Sequence, residues 1–242
     1  MSIVFAVVAV VAVFLIAGLV QGLTGFGSAL VAMPLLCLLM DVKTAVPLCV
    51  LNSVVITTYL LYRLNGQLRI AIILPLCLAS IPGIYVGTTF LRELDSKIIS
   101  ICLGLFLISY STYSLVAKPR PRAIHKGWGY VAGFLSGAIG AAFSAGGPPT
   151  IIYTTLNDWS KDKMKATLTG FFAFTSCLTV VVHALTGLTT VTVLQNFFYS
   201  APAVLVGTAI GSALYGRLPR EAFIRLIFLF LILMGIAMLF TN

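Results

Sequence analysis

Acidic residues are what this chain has least of: six Asp and Glu stand against fifteen Lys and Arg in 242 residues. All six (Asp41, Glu93, Asp95, Asp158, Asp162, Glu221) fall in short connections between apolar runs, so no run carries a carboxylate. That absence argues against a buried Asp/Glu proton relay and against a conventional cation pathway, both of which need intramembrane acids. Charge of either sign is also scarce, at 9% of residues. A soluble domain carries roughly a quarter. The five cysteines (Cys37, Cys49, Cys77, Cys102, Cys177) form no CxxC pair and all lie in apolar runs, where they read as small packing residues. No metal centre and no cofactor is expected. Nor does the net charge of +9 imply nucleic acid, because no basic stripe with interleaved aromatics accompanies it.

What the chain does have is apolar length. Hydrophobic residues make up 60% and mean hydropathy is +1.10. Six runs, at 44–62, 70–91, 98–117, 166–185, 190–216 and 222–240, match the ~20 residues that cross a bilayer as helix. Residues 3–20 resemble a signal peptide in hydropathy alone. They lack a basic n-region and a small-residue cleavage site, and they run directly into the next element, so a retained segment is expected.

The remaining apolar material, 2–40 and 127–157, contains one motif twice. Residues 18–34 read GLVQGLTGFGSALVAMP and 133–149 read GFLSGAIGAAFSAGGPP. Gly18/Gly133, Gly22/Gly137, Gly25/Gly140 and Pro34/Pro149 are each 115 residues apart. The repeat continues with Ala45/Ala166, Leu64/Leu185 and Gly66/Gly187 at a spacing of 121, and with 86–88/206–208 at 120. The chain therefore divides into an N-terminal repeat, 1–117, a Pro- and Lys/Arg-rich linker, 118–126, and a C-terminal repeat, 127–242.

Loop charges indicate how the motif sits. If each motif element were a full crossing, six Lys and Arg would face nine across the membrane. If each is a re-entrant hairpin, loop 63–69 (two), the linker (four), 158–165 (three) and 217–225 (three) share one side, twelve against the three of 41–43 and 92–97. Lys and Arg concentrate on the cytoplasmic side. The expected fold is thus an all-α integral membrane protein of two inverted repeats, each a re-entrant helical hairpin plus three transmembrane helices. The expected location is the cell inner membrane, multi-pass, with both termini outside the cytoplasm.

Gly18, Gly22, Gly133 and Gly137 have the small-xxx-small spacing that lets helices pack closely. The clusters at 25–28 and 144–147 break a helix instead. A return helix is expected to begin near Ser28 and another near Gly147, with both tips at one midplane cavity. Helix N-termini carry orphan N–H groups and partial positive charge, so such tips attract anions without a buried Lys or Arg. The expected substrate-binding residues are Gly25, Phe26, Gly27, Ser28, Gly140, Ser144, Gly146 and Gly147. Among the other intramembrane polar residues, Gln21, Asn52, His183, Gln195 and Asn196, Asn52 and Gln195 are candidates for substrate contact. His183 is the candidate coupling residue, as the intramembrane group that titrates near neutral pH.

At Gly22-Leu-Thr-Gly25-Phe-Gly27-Ser-Ala, and again at Gly137-Ala-Ile-Gly140 with Gly146-Gly147-Pro148-Pro149, the chain resembles the TauE/SafE family of sulfite exporter-type transporters. Ser28-Ala29 and Ala141-Ala142 stand where that family usually has more glycine. The resemblance implies outward movement of small sulfur-containing or carboxylate anions such as sulfite, sulfonates or sulfoacetate. The expected partners are the small-molecule anion and the lipid bilayer, the chain being monomer or homodimer. Two alternatives stand beside an anion carrier: an anion channel, and an intramembrane serine protease in which Ser136 and His183 form a dyad.

Overall fold

The computed structural model describes residues 3–64, 70–117, 125, 127–157, 159, 161–215 and 220–241. Most of loop 63–69, the linker apart from His125, and 216–219 lie outside the described residues, and the loop-charge count rests partly on them. Ten helices are described: α1 (Ile3–Thr24), α2 (Ser28–Cys37), α3 (Val42–Leu64), α4 (Ile70–Glu93), α5 (Ser96–Val116), α6 (Trp128–Phe143), α7 (Gly147–Leu156), α8 (Lys161–Leu185), α9 (Val191–Ala213) and α10 (Arg220–Thr241). A helix satisfies its own backbone groups, which hydrocarbon cannot do, so long apolar runs have no other stable open form.

By length and hydropathy α1, α3, α4, α5, α8 and α9 can each cross a bilayer, and α2, α6 and the apolar part of α10 are shorter. α1 runs unbroken for 22 residues, about 33 Å at 1.5 Å per residue, before the break at the first motif. Its glycines at 18 and 22 do not interrupt it because they serve packing. A β-carbon on Gly22 would come within 2.5–2.9 Å of backbone atoms of Thr208, Gly211 and Ser212 in α9. In the second half, Gly137 meets the backbone of Ser80 in α4 in the same manner.

The halves correspond helix for helix, α1–α5 to α6–α10. The dominant contacts respect that correspondence, α1 lying along α9 as α6 lies along α4, with α3 against α8 and α5 against α10. Contact positions give directions. Gly18 faces Val204 and Thr208 while Gly22 faces Thr208 and Ser212, so α1 and α9 run parallel. Gly133 faces Leu76 while Gly137 faces Ser80, so α4 and α6 also run parallel. Between α5 and α10 the order reverses. Gly104 lies opposite Gly235, and Tyr110 packs its ring 5.7 Å from that of Phe228, so this pair is antiparallel.

Both motif elements fold back on themselves. Ser28 Oγ donates to Gln21 Oε1, although seven residues of straight helix would separate them by about 10 Å. Ser136 and Thr150 share a hydroxyl–hydroxyl bond of 2.8 Å, which lays α7 back along α6. The buried core runs through the middle of the bundle, with Phe14, Met33, Leu48, Ile56, Leu103 and Leu231 in one cluster. Outward-facing Phe5, Tyr85, Leu105, Phe198 and Leu233 are exposed and apolar, as a surface solvated by lipid requires.

Candidate functional site

Each break is made by backbone that only small residues tolerate. After α1, Gly25 and Gly27 take φ of 86° and 95°, a left-handed conformation that costs an ordinary residue about 1–2 kcal/mol. The Phe26 N–H donates to Thr24 Oγ1 (3.2 Å) and the Gly25 N–H to the Gln21 carbonyl (2.7 Å), closing the turn. After α6 the left-handed residue is Ser144, φ 56°, whose N–H caps the helix on the Gly140 carbonyl at 2.8 Å. Gly146 then passes so close to α6 that a β-carbon would collide with the Ser136 carbonyl and with Gly140. Glycine at 146 is thus first a packing requirement of the hairpin.

The two tips meet at one cavity of about 80 Å³. Gly27, Ser28, Gly140, Ser144, Gly146 and Gly147 line it, with Gln21 and Ser136 behind them. Its remaining walls are Ser53 and Thr57 on α3, and Phe171, Phe172, Thr175, Ser176 and Thr179 on α8. No charged side chain lines it among the described residues.

Its polarity comes from helix ends and hydroxyls. Neither the Ser28 end of α2 nor the Gly147 end of α7 has a side-chain cap, so first-turn amides are left for a ligand. The two ends are not equivalent. Ser28, Ala29 and Leu30 each carry an N–H, whereas Pro148 and Pro149 carry none. On the α7 side the donors reduce to Gly146 and Gly147 amides and to hydroxyls. Ser53, Thr57 and Thr175 donate to carbonyls one turn back in their own helices, at 2.9, 2.7 and 3.1 Å. Rotation about χ1 re-aims such a hydroxyl at low cost.

The hydroxyl walls were missed by sequence reasoning, although the signal was present. Ser53/Thr57 and Thr175/Thr179 are each four apart, one helical face, and the two pairs are 122 residues apart. That is one residue off the spacing that aligns Ala45 with Ala166.

Five expected site residues lie elsewhere. Gly25 and Phe26 line a separate, adjoining cavity. Asn52 is fully buried away from the site and ties α3 to α9, its Nδ2 donating to Ser200 Oγ (2.9 Å) and to the Leu48 carbonyl (3.0 Å). Gln195, within about a turn of the start of α9, faces outward. His183, the coupling candidate, is buried on α8 with Nε2 donating to the Ala141 carbonyl (3.2 Å), which braces α6 two residues before its end rather than reaching the cavity.

A family model described as Sulfite exporter TauE/SafE matches residues 10–238, nearly the whole chain. The chain belongs to the TauE/SafE family. No curated protein and no solved structure matches it. Family membership makes it a multi-pass membrane transporter for sulfur-containing anions of the sulfite kind, and not an enzyme. The protease reading fails on its own geometry as well. Ser136 is bonded to Thr150, and His183 turns its proton to a carbonyl instead of to the serine.

Proposed function

We propose that this TauE/SafE protein is an alternating-access exporter whose substrate, a sulfite-sized oxyanion, sits between the two hairpin tips. One observation carries the reading: both tips and hydroxyls from both halves line a single small cavity that, among the described residues, has no charged side chain. An anion there is held by α2 first-turn amides, by the Gly146 and Gly147 amides and by re-aimed hydroxyls, and is released without breaking an ion pair.

Inverted halves are part of the proposal. If repeats exchange about an axis in the membrane plane, the helices that swap places, α5 and α10, must run antiparallel, as they do. Full crossings by each motif would have left that pair parallel. The loop charges, twelve against three, support the same arrangement and a cytoplasmic linker.

A difference between the halves supports a carrier over a channel. The return helix α2 packs on α10 and buries eight of its ten residues. Its counterpart α7 buries three, and an apolar crevice of about 850 Å³ opens between α7 and α5. Swinging α7 into that crevice would give the second half the packing the first half has now, while opening the cavity past α7.

Export needs no proton relay. Moving one negative charge outward gains about 2.3 kcal/mol per 100 mV, which sustains roughly a fiftyfold gradient. The test is radiolabelled sulfite flux from proteoliposomes under a potassium–valinomycin potential. We expect saturable net efflux accelerated by an inside-negative potential. Currents that never saturate would replace the carrier by a channel, and flux indifferent to potential would require a compensating ion.

A further inference from the structure

One buried polar side chain at the central cavity has a donor to spare. Gln21, in the last turn of α1, is 5% exposed and lines the cavity beside the tip residues. Its Oε1 accepts from Ser28 Oγ, the bond that folds the first hairpin back. Its Nε2 has no hydrogen-bond partner among the described residues. Buried polar groups are nearly always paired, so an unpaired amide in a cavity wall calls for a reason.

The surroundings favour this orientation of the carboxamide. Ser28 begins α2, whose N-terminus carries partial positive charge. A carbonyl oxygen turned toward that end, with the NH2 turned from it, is the better alignment, and the Ser28 hydroxyl proton holds it there. Gln21 is also the one carboxamide among the described residues that line the cavity. Ser53, Thr57 and Thr175 must each give up a carbonyl in their own helix to reach a ligand. Nε2 gives up nothing.

The repeat sharpens the contrast. Ser136 stands 115 residues after Gln21, the spacing that aligns the motif glycines, and lines the same cavity. Its hydroxyl is shared with Thr150, which also reaches the Gly146 and Gly147 carbonyls at 3.4 and 3.2 Å. One position of the motif thus holds a committed hydroxyl in the second half and an uncommitted amide in the first.

We propose that Gln21 is a substrate-binding residue: Nε2 donates to an oxygen of the sulfur oxyanion, and Ser28 holds the carboxamide in the orientation that allows it. This rests on the central site argued above. A carboxamide suits a site that must also let go. It gives the anion a charge-assisted hydrogen bond, yet adds no buried cation whose desolvated pair would have to be broken at release.

The experiment measures saturable sulfite exchange in proteoliposomes and the melting of the purified protein with and without sulfite. Gln21→Met keeps the side-chain length and removes the donor. Sulfite KM should rise about tenfold or more, as expected for losing a hydrogen bond to a charged group, and most of the stabilisation by sulfite should vanish. Ser28→Ala breaks the same tie between α1 and α2 but leaves the carboxamide, so it should raise KM less. Gln21→Glu, the second variant should Gln21→Met fail to fold, keeps the acceptor for Ser28 and removes the donor; saturable exchange should be lost. Equal KM effects in Gln21→Met and Ser28→Ala would make Gln21 a hairpin tie alone and overturn the proposal. Wild-type KM in Gln21→Met or Gln21→Glu, or a fall in kcat at constant KM, would overturn it too. Each of those outcomes leaves the central site standing. If sulfite neither saturates exchange nor stabilises the wild-type protein, the central site falls with it.

Discussion

Gly147→Ala separates a substrate cavity from a mere packing break, because its environment leaves room for the methyl group but not for the ligand beside it. The nearest atoms to a β-carbon there are Ile151 Cδ1 at 3.3 Å and Phe172 Cζ at 3.7 Å, both side-chain ends that can yield. Gly147 opens α7 directly before Pro148, whose ring crowds a β-carbon on the residue before it, so the variant gains no stability and should lose only a little. The methyl projects into the wall of the central cavity that Gly147 lines. It also sits where the Gly146 and Gly147 amides would meet the anion. Loss of one hydrogen bond to a charged ligand costs about 1.5–3 kcal/mol, so sulfite kcat/KM should fall roughly tenfold to a hundredfold. Gly137→Ala is the control, from the same cavity wall. Its β-carbon would come 2.5 Å from the Ser80 carbonyl oxygen and 2.9 Å from Ser80 Cα. Backbone cannot yield as a side chain does, α6 must part from α4, and overpacking costs about 1–3 kcal/mol. That variant should lose thermal stability and yield in the membrane before any kinetics are read. Counterflow in proteoliposomes beside melting of the purified protein distinguishes the two. Wild-type sulfite kinetics in a stable Gly147→Ala protein would refute the cavity as the substrate site.

Two further outcomes follow from the same geometry. In a cysteine-free background, joining Phe106→Cys on α5 to Ile152→Cys on α7 across the crevice they line with a bifunctional thiol reagent should arrest counterflow, with reduction of a cleavable linker restoring it; undiminished transport by the linked protein would mean that α7 does not move against α5. Gly66→Cys and Lys163→Cys should label from the cytoplasmic side and Asp95→Cys from the opposite one, and labelling of 66 and 163 from different sides would end the inverted-hairpin arrangement.

The breaks were legible in the sequence because glycine clusters weaken a helix wherever it lies, and α2 and α7 begin at Ser28 and Gly147, where the return helices were expected. Which polar residues face the cavity was not legible. In a soluble helix the solvent face is polar, and a moment at 3.6 residues finds the core. Here the outer face is as apolar as the inner one, with Leu105, Phe198 and Leu233 exposed, and that signal vanishes. Asn52 and Gln195 consequently looked alike in the sequence. One became a tie between α3 and α9, and the other lies outward near a helix end, within reach of the headgroups. Hydroxyls escaped notice for a related reason: Ser and Thr can satisfy themselves on their own helix, so their presence in a span carries no cost that would mark it.

The duplication led to an expectation of two anion-binding tips, and the chemistry at the tips is unequal. Glycine at 27 lets α2 start with three free amides, while Pro148 and Pro149 start α7 with pre-set angles and two fewer donors. Proline makes α7 stiff and easy to keep helical without hydrogen-bonded support in its first turn. Such a helix can move as a unit, and α7 is the return helix with the crevice beside it and the fewer buried residues. The first hairpin, packed on α10 and rich in amides, has the features of the binding half. The second, poor in amides and loosely packed, has those of the moving half. Two copies of one motif can in this way divide holding from release, which neither could do if both tips bound the anion equally.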